Sequence, residues 1–157
     1  MNRILLACLI LSLMVSNGAV ADTDQSNSSD IYDEQLATEL GADEYGMKSY
    51  VMVVLTTGPN DAVVTDKKER EKLFAGHFSN MDRLAEEGML VFAGPFIDGK
   101  PKRGLYIFAV ESIEEAEGLV KTDPTVQAGI FEYEMTKLYG SAALMQVAET
   151  HKKIKKP

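Results

Sequence analysis

Residues Asp66 to Val110 read DKKEREKLFAGHFSNMDRLAEEGMLVFAGPFIDGKPKRGLYIFAV, and a change of hydrophobic period inside this stretch decides the fold. Leu73, Phe74, His77, Met81 and Leu84 recur at steps of three and four, which puts all five on one face of a helix. Asp66 with Glu69 three residues on has the spacing of a capping box, and Gly88 supplies the stop. Met89 to Phe96 then reads as a strand. Asp98-Gly99 supplies hairpin-turn residues, lengthened by Lys100 and Pro101, and Leu105 to Val110 resumes as the next strand, paired antiparallel with the one before.

Working outward, Met47 to Thr57 contains the apolar, β-branched run Tyr50 to Leu55 and is stopped by Gly58-Pro59, which makes it a strand. On the other side, Ser112 and Glu115 form a second capping box. The helix they open carries Ile113, Ala116, Leu119 and Val120 on one side and ends near Lys121. After a Thr-Asp-Pro turn at Asp123, Ile130 to Leu138 alternates Phe131, Tyr133 and Met135 with Glu132, Glu134 and Thr136, a half-polar strand. The order β-α-β-β-α-β predicts an α+β, ferredoxin-like domain, with two helices on one face of a four-stranded antiparallel sheet. The first three strands are apolar on both faces, so the uncovered face needs a lid. A second copy related by a two-fold axis is the economical lid, with accessory N- and C-terminal helices as competitors.

Residues 1–21 have the pattern of a secretion signal: Arg3, an apolar run from Ile4 to Val15, and Ala19-Val20-Ala21 as a small-x-small cleavage site. The expected product is exported, periplasmic or extracellular, and begins at Asp22. The apolar run is too short to span a bilayer, and too few residues precede Cys8 for the lipoprotein-like Leu5-Leu6-Ala7-Cys8 to act as a processing box, so stable membrane association is not expected. Residues 22–46 read as a polar linker followed by a short helix, Ile31 to Leu40, closed by Gly41. Residues 47–140 form the main domain, and residues 141–157 a C-terminal helix with a basic tail, whose lysines suit the negative end of a helix dipole.

Cleavage after Ala21 removes one basic residue, Arg3, and no acidic one. The 136 residues left hold 15 Lys plus Arg against 24 Asp plus Glu, a net charge of about −9. Such a surface repels phosphate backbones, and no basic motif interrupts the globular part, so nucleic-acid binding is disfavoured. Cys8 is the only cysteine, which leaves the cleaved chain without disulfides or thiolate ligands. The carboxylates lack metal-ligand spacing, phosphate-cradling glycine motifs are absent, and His77 offers the only route to haem, so no metal and no cofactor is expected.

The candidate chemistry rests on His77 and Asp123. His77 is the only histidine outside the tail, and it sits where the helical stripe calls for an apolar side chain. A carboxylate bonded to one ring nitrogen fixes the imidazole tautomer and stabilises its protonated form, and such a pair shuttles protons. The competing readings are a core histidine satisfied by a backbone carbonyl, a histidine pointing out at the edge of the stripe, and an aspartate that only caps the turn after it. Both roles fit one carboxylate, since one oxygen can cap while the other faces the ring. Ser79 and Asn80 fall on other faces of the helix, which argues against a Ser-His-Asp triad. Arg70 and Arg83 read as solvated residues at the edge of the stripe.

Three segments, in order, carry a resemblance. They are Gly76 to Phe96 (GHFSNMDRLAEEGMLVFAGPF), Ile113 to Glu117 (IEEAE) and Asp123 to Glu132 (DPTVQAGIFE), and over roughly Met47 to Tyr139 the chain resembles the YciI-like, YCII-related family. The resemblance implies a dimeric α+β barrel in which two ferredoxin-like sheets face one another, with His77 and Asp123 as a catalytic pair at a cleft. Most members have no established substrate. Relatives of the wider fold act on aromatic rings or lactones by elimination or isomerisation, and others bind haem or other small molecules. The present chain departs from the compact family pattern in its export signal and its added terminal segments. The expectation is an exported homodimer that uses His77 and Asp123 for proton transfer on a small molecule. The alternatives are a non-catalytic module that holds a small ligand in the same cleft and a packing domain with no ligand.

Overall fold

Strand β1 (Met47–Thr57) organises the domain because it pairs antiparallel on both sides, with β3 (Lys102–Phe108) and with β4 (Phe131–Ser141). Strand β2 (Leu90–Pro95) adds to the outer side of β3, which gives the sheet order β2-β3-β1-β4. Helix α2 (Lys67–Glu86) crosses from β1 to β2, and α3 (Ile113–Val120) with the short α4 (Pro124–Gln127) crosses from β3 to β4. This is the ferredoxin-like arrangement that the sequence pattern predicts. The computed structural model describes residues 31–156, and those from Asp33 onward form one compact unit. The expected signal at 1–21 and linker at 22–30 lie outside the described residues.

Alternation along β1 sends Val51, Val53 and Leu55 toward the helices, where they meet Leu84, Leu90, Tyr106, Phe108, Ala116, Val120, Ile130 and Phe131 in one buried cluster. The register carries the same alternation across the sheet, since Val53 stands opposite Tyr106 on one side and Met135 on the other. Residues of the opposite face, Met52 and Val54 of β1 and Leu105 and Ile107 of β3, are half-buried. A 3₁₀ segment (Ala142–Gln146) and α5 (Val147–Ile154) follow β4 and contact β2, and α1 (Glu34–Leu40) contacts the 3₁₀ segment. Tyr50 is sealed and donates its hydroxyl to the Ser141 carbonyl at 3.0 Å, while Ala142 N–H donates to Gly46 O.

Several boundaries differ from the sequence reading, each for a local reason. The first helix begins at Glu34 because Asp33 is its N-cap, its side chain accepting from Leu36 N. Asp66 accepts from Glu69 N, but the full reciprocal box forms only at Ser112 and Glu115. Strand β3 starts at Lys102, since Arg103 and Gly104 pair with the neighbouring strands despite their composition, and β4 runs on to Ser141 beside the whole of β1. The C-terminal helix is preceded by a 3₁₀ turn.

Two glycines with opposite surroundings give a test of the packing. Gly58 donates its N–H to Ile130 O where β1 ends, and a Cβ there would collide with the Gly129 carbonyl, which is backbone and cannot swing away. Gly118 is exposed on α3, with open space where a methyl group would stand. Gly58→Ala is expected to cost about 2–3 kcal/mol in urea unfolding, and Gly118→Ala to gain about 0.5–1 kcal/mol through helix propensity.

Candidate functional site

The apolar stripe of α2 faces the sheet, with Leu84 buried and Leu73, Phe74 and Met81 packed against the core. His77 sits in the middle of that stripe and is 8 % exposed. Asp123, fully buried, is the N-cap of α4, and Pro124 occupies the first turn, where its missing N–H costs nothing. Gly76 allows the two elements to meet, because a Cβ at that position would lie 2.9 Å from Pro124 Cγ. Thr122 adds a polar clasp, its hydroxyl donating to Leu119 O at 2.6 Å and accepting from Arg83, which also donates to Asn80 Oδ1.

The structure brings the two candidate residues together: His77 Nδ1 is 2.7 Å from Asp123 Oδ2. The carboxylate is an acceptor on all sides. Oδ2 also accepts from the Tyr106 hydroxyl at 3.0 Å, and Oδ1 accepts from Thr125 N–H at 2.9 Å and Thr125 Oγ1–H at 2.6 Å. These four bonds match the roughly four lone-pair sites of an ionised carboxylate. One oxygen thus caps α4 while the other faces the imidazole, and the Tyr106 and Thr125 hydroxyl oxygens each lie 3.3 Å from Nδ1.

This arrangement favours an ionised Asp123 and a neutral Tyr106. Burial is the largest single influence on Asp123 and pushes its carboxyl up, but the hydrogen bonds from His77 and Thr125, with the His77 charge, outweigh it and hold the group below the ordinary value of 3.8. Burial and then the Asp123 charge push the Tyr106 hydroxyl far above the ordinary tyrosine range, so it remains a neutral donor. A carboxylate on Nδ1 requires a proton on that nitrogen, so in the neutral ring the lone pair is on Nε2. Among the described residues no sealed side-chain nitrogen or oxygen lacks a partner, and Nε2 has none, so Nε2 is open rather than sealed.

His77 lines a cavity of about 300 Å³ together with Phe74, Phe78, Tyr106, Phe131 and Arg103. The imidazole meets Phe74, Phe78 and Phe131 edge-on, with centroids 5.9, 5.2 and 5.6 Å away. The size suits a small organic ligand. The described residues contain no cluster of three or more His, Cys, Asp or Glu that could hold a metal ion, and no helix among them is long and apolar enough to cross a membrane.

Tyr106, Thr125 and Arg103 escaped the sequence reading. Tyr106 had a signal, since it falls between Gly104 and Phe108 on the inward positions of β3, where a phenol needs a hydrogen-bond partner. Thr125, two residues past an Asp-Pro cap, also had one. Arg70 is not the solvated residue expected: its guanidinium lies over Phe74 and bonds Asp61 and the carbonyls of Asp61 and Val64. Arg83 is exposed at the stripe edge, bonded to Glu87 and Asn80.

Residues 50–138 match the YCII-related domain. The chain belongs to this family. Among curated proteins, it is 33 % identical over 86 residues to the uncharacterized protein YjpA of Bacillus subtilis (strain 168), covering 55 % of this chain and 88 % of YjpA. Among solved structures, it is similar to 5-chloro-2-hydroxyhydroquinone dehydrochlorinase from Burkholderia phenoliruptrix AC1100 in complex with 2,5-dihydroxybenzoquinone. That likeness has 19 % identity and a TM-score of 0.42 over 55 % of this chain and 90 % of that one.

The depressed Asp123 carboxyl has a definite sign in acid. Above its unfolded value of 3.8 the carboxylate is ionised in both states and its contribution is complete; that contribution is lost as pH falls through the lower folded value. Urea stability measured from about pH 6 to about pH 2 should therefore fall less steeply below 3.8 in Asp123→Asn than in the wild type. Thr125→Val, which keeps the charge but removes one donor, brings the folded value back toward 3.8, so its loss should start at the same pH as in the wild type but be smaller and level off at a higher pH.

Proposed function

We propose that this YCII-related protein is an exported small-molecule enzyme in which His77 and Asp123 transfer a proton, in an elimination, isomerisation or hydrolysis. The observation that carries this reading is the division of labour around the imidazole: Nδ1 is held by a saturated, buried carboxylate while Nε2 is left open. In that tautomer Nε2 takes a proton from a compound in the cavity, and Asp123 stabilises the imidazolium that results. Base catalysis of this kind contributes about 10²- to 10⁴-fold in rate. Thr125 is a positioning residue that acts on Asp123 from outside the cavity lining, and the Tyr106 hydroxyl also acts on Asp123 while its ring lines the cavity. Export to the periplasm or beyond is supported by the pattern of residues 1–21.

The proposed working unit is a homodimer, supported by the half-buried apolar strip of Met52, Val54, Leu105 and Ile107 on the sheet face away from the core, beside Phe92 at 39 % exposure. Analytical ultracentrifugation should give twice the chain mass, and Val54→Lys with Ile107→Lys should give the monomer with its secondary structure retained. A monomeric wild type would remove the dimer from the proposal.

The catalytic reading is tested by incubating wild type, His77→Ala and Asp123→Asn with a small-molecule extract and following every compound by mass spectrometry. The expected result is at least one compound converted by the wild type and by neither variant, with ¹⁵N shifts of wild-type His77 reporting the Nδ1–H tautomer. Compounds retained by the wild type but released unchanged would favour a binding module. Conversion that survives in His77→Ala would overturn the assignment.

A further inference from the structure

We infer that the ligand of this cavity is a small planar anion, an aromatic or conjugated carboxylate, with its charge held by Arg103 and its ring among the phenylalanines. The inference rests on the proposed site at His77 and adds its substrate class. The cavity lining contains one permanently charged side chain, Arg103, and no carboxylate. The remaining wall is aliphatic and aromatic, with Phe74, Phe78, Phe131 and Tyr106 offering ring contacts. A cavity of about 300 Å³ is at the small end of ligand sites, the scale of a single ring with its substituents.

The charge of Arg103 is not cancelled from behind. Asp61 is its only side-chain hydrogen-bond partner among the described residues, through one contact of 3.2 Å to Oδ2. That carboxylate is shared with Arg70 at 2.5 Å and Lys100 at 3.3 Å, so three cations surround one anion. Arg70 is further committed to two backbone carbonyls. Arg103 keeps most of its five N–H donors, and a planar fork of donors is the match for a carboxylate. The local excess is positive in a chain whose formal net charge is −8, so it is not an average property of the surface.

The two ends of the cavity are linked through one ring. Arg103 Cζ lies 5.2 Å from the centre of Phe131, and the His77 ring centre lies 5.6 Å from it. Guanidinium and imidazole are therefore no more than about 11 Å apart, the sum of those distances. With a hydrogen bond of roughly 3 Å at each end, a single ring with one anionic substituent spans the remainder. Such a ligand would present a ring or side-chain proton to Nε2 while its carboxylate stays on Arg103.

The test uses benzoate and its neutral isostere benzamide, titrated into the full protein and followed by NMR shifts of Phe131, Tyr106 and His77. Wild type should bind benzoate about ten- to hundredfold more tightly than benzamide, the range expected for charge-assisted hydrogen bonds. Arg103→Gln should abolish that preference, while Arg103→Lys, which keeps the charge without the fork, should retain part of it. The preference should persist in His77→Ala, which separates the anion clamp from the proton-transfer reading. Equal binding of the two probes, or a preference unchanged in Arg103→Gln, would overturn the anionic class while leaving the cavity as a ligand site. Absence of binding by both probes would overturn it as well. A preserved preference together with no His77-dependent conversion in the extract experiment would leave the clamp standing and remove the enzyme.

Discussion

A carboxylate with no exposure to water is the costliest group to keep in this domain, and the arrangement around Asp123 meets that cost with four hydrogen bonds. Breaking a buried pair by removing one member typically costs about 3–5 kcal/mol, because the charge left behind has no solvent to turn to. The partners come from three separate elements: His77 from α2, Tyr106 from β3, and Thr125 from α4 itself. The carboxylate is therefore a junction as much as a candidate reactive group. Its satisfaction requires the helix layer and the sheet to be in register.

The packing that brings these elements together is built from small local permissions. Gly76 leaves room for the ring of Pro124, which lets α2 approach α4 until Nδ1 reaches Oδ2. Asn80, Arg83 and Thr122 close the same seam on its exposed side. The start of β4 is tied to the end of β1 by Gly58 N–H to Ile130 O and by Asn60, whose backbone and side chain bond Gly129 O and Ala128 O. Phe131, whose ring links imidazole and guanidinium, is held at the first position of that strand.

The βαββαβ order was legible because each element states its period locally: the stripe of α2, the alternation of β4, the box at Ser112 and Glu115. His77 stood out for the opposite reason, a polar residue on an apolar stripe, and Asp123 for its place before proline. Arg103 was not legible. Its importance depends on what Arg70 and Lys100 do to Asp61, a balance among residues up to 42 positions apart that no local pattern records. The extension of β4 to Ser141 was missed for a related reason, since Lys137 and Gly140 are poor strand residues held there by pairing with β1. Asp66 shows the converse, a capping pattern of which only one half forms.

The polar junction and the apolar wall use largely different side chains. Asp123, Thr125 and the Nδ1 edge of His77 lie behind the ring, whereas Phe74, Phe78, Met81 and Leu55 line the open space without touching the carboxylate through a hydrogen bond. Substitutions among the latter alter the shape of the cavity, at the ordinary cost of changing side-chain volume in a packed interior, and remove none of the hydrogen bonds to Asp123. A domain of this design has modular evolvability: the wall of the cavity can be recast residue by residue while the buried His77–Asp123 pair behind it is inherited unaltered.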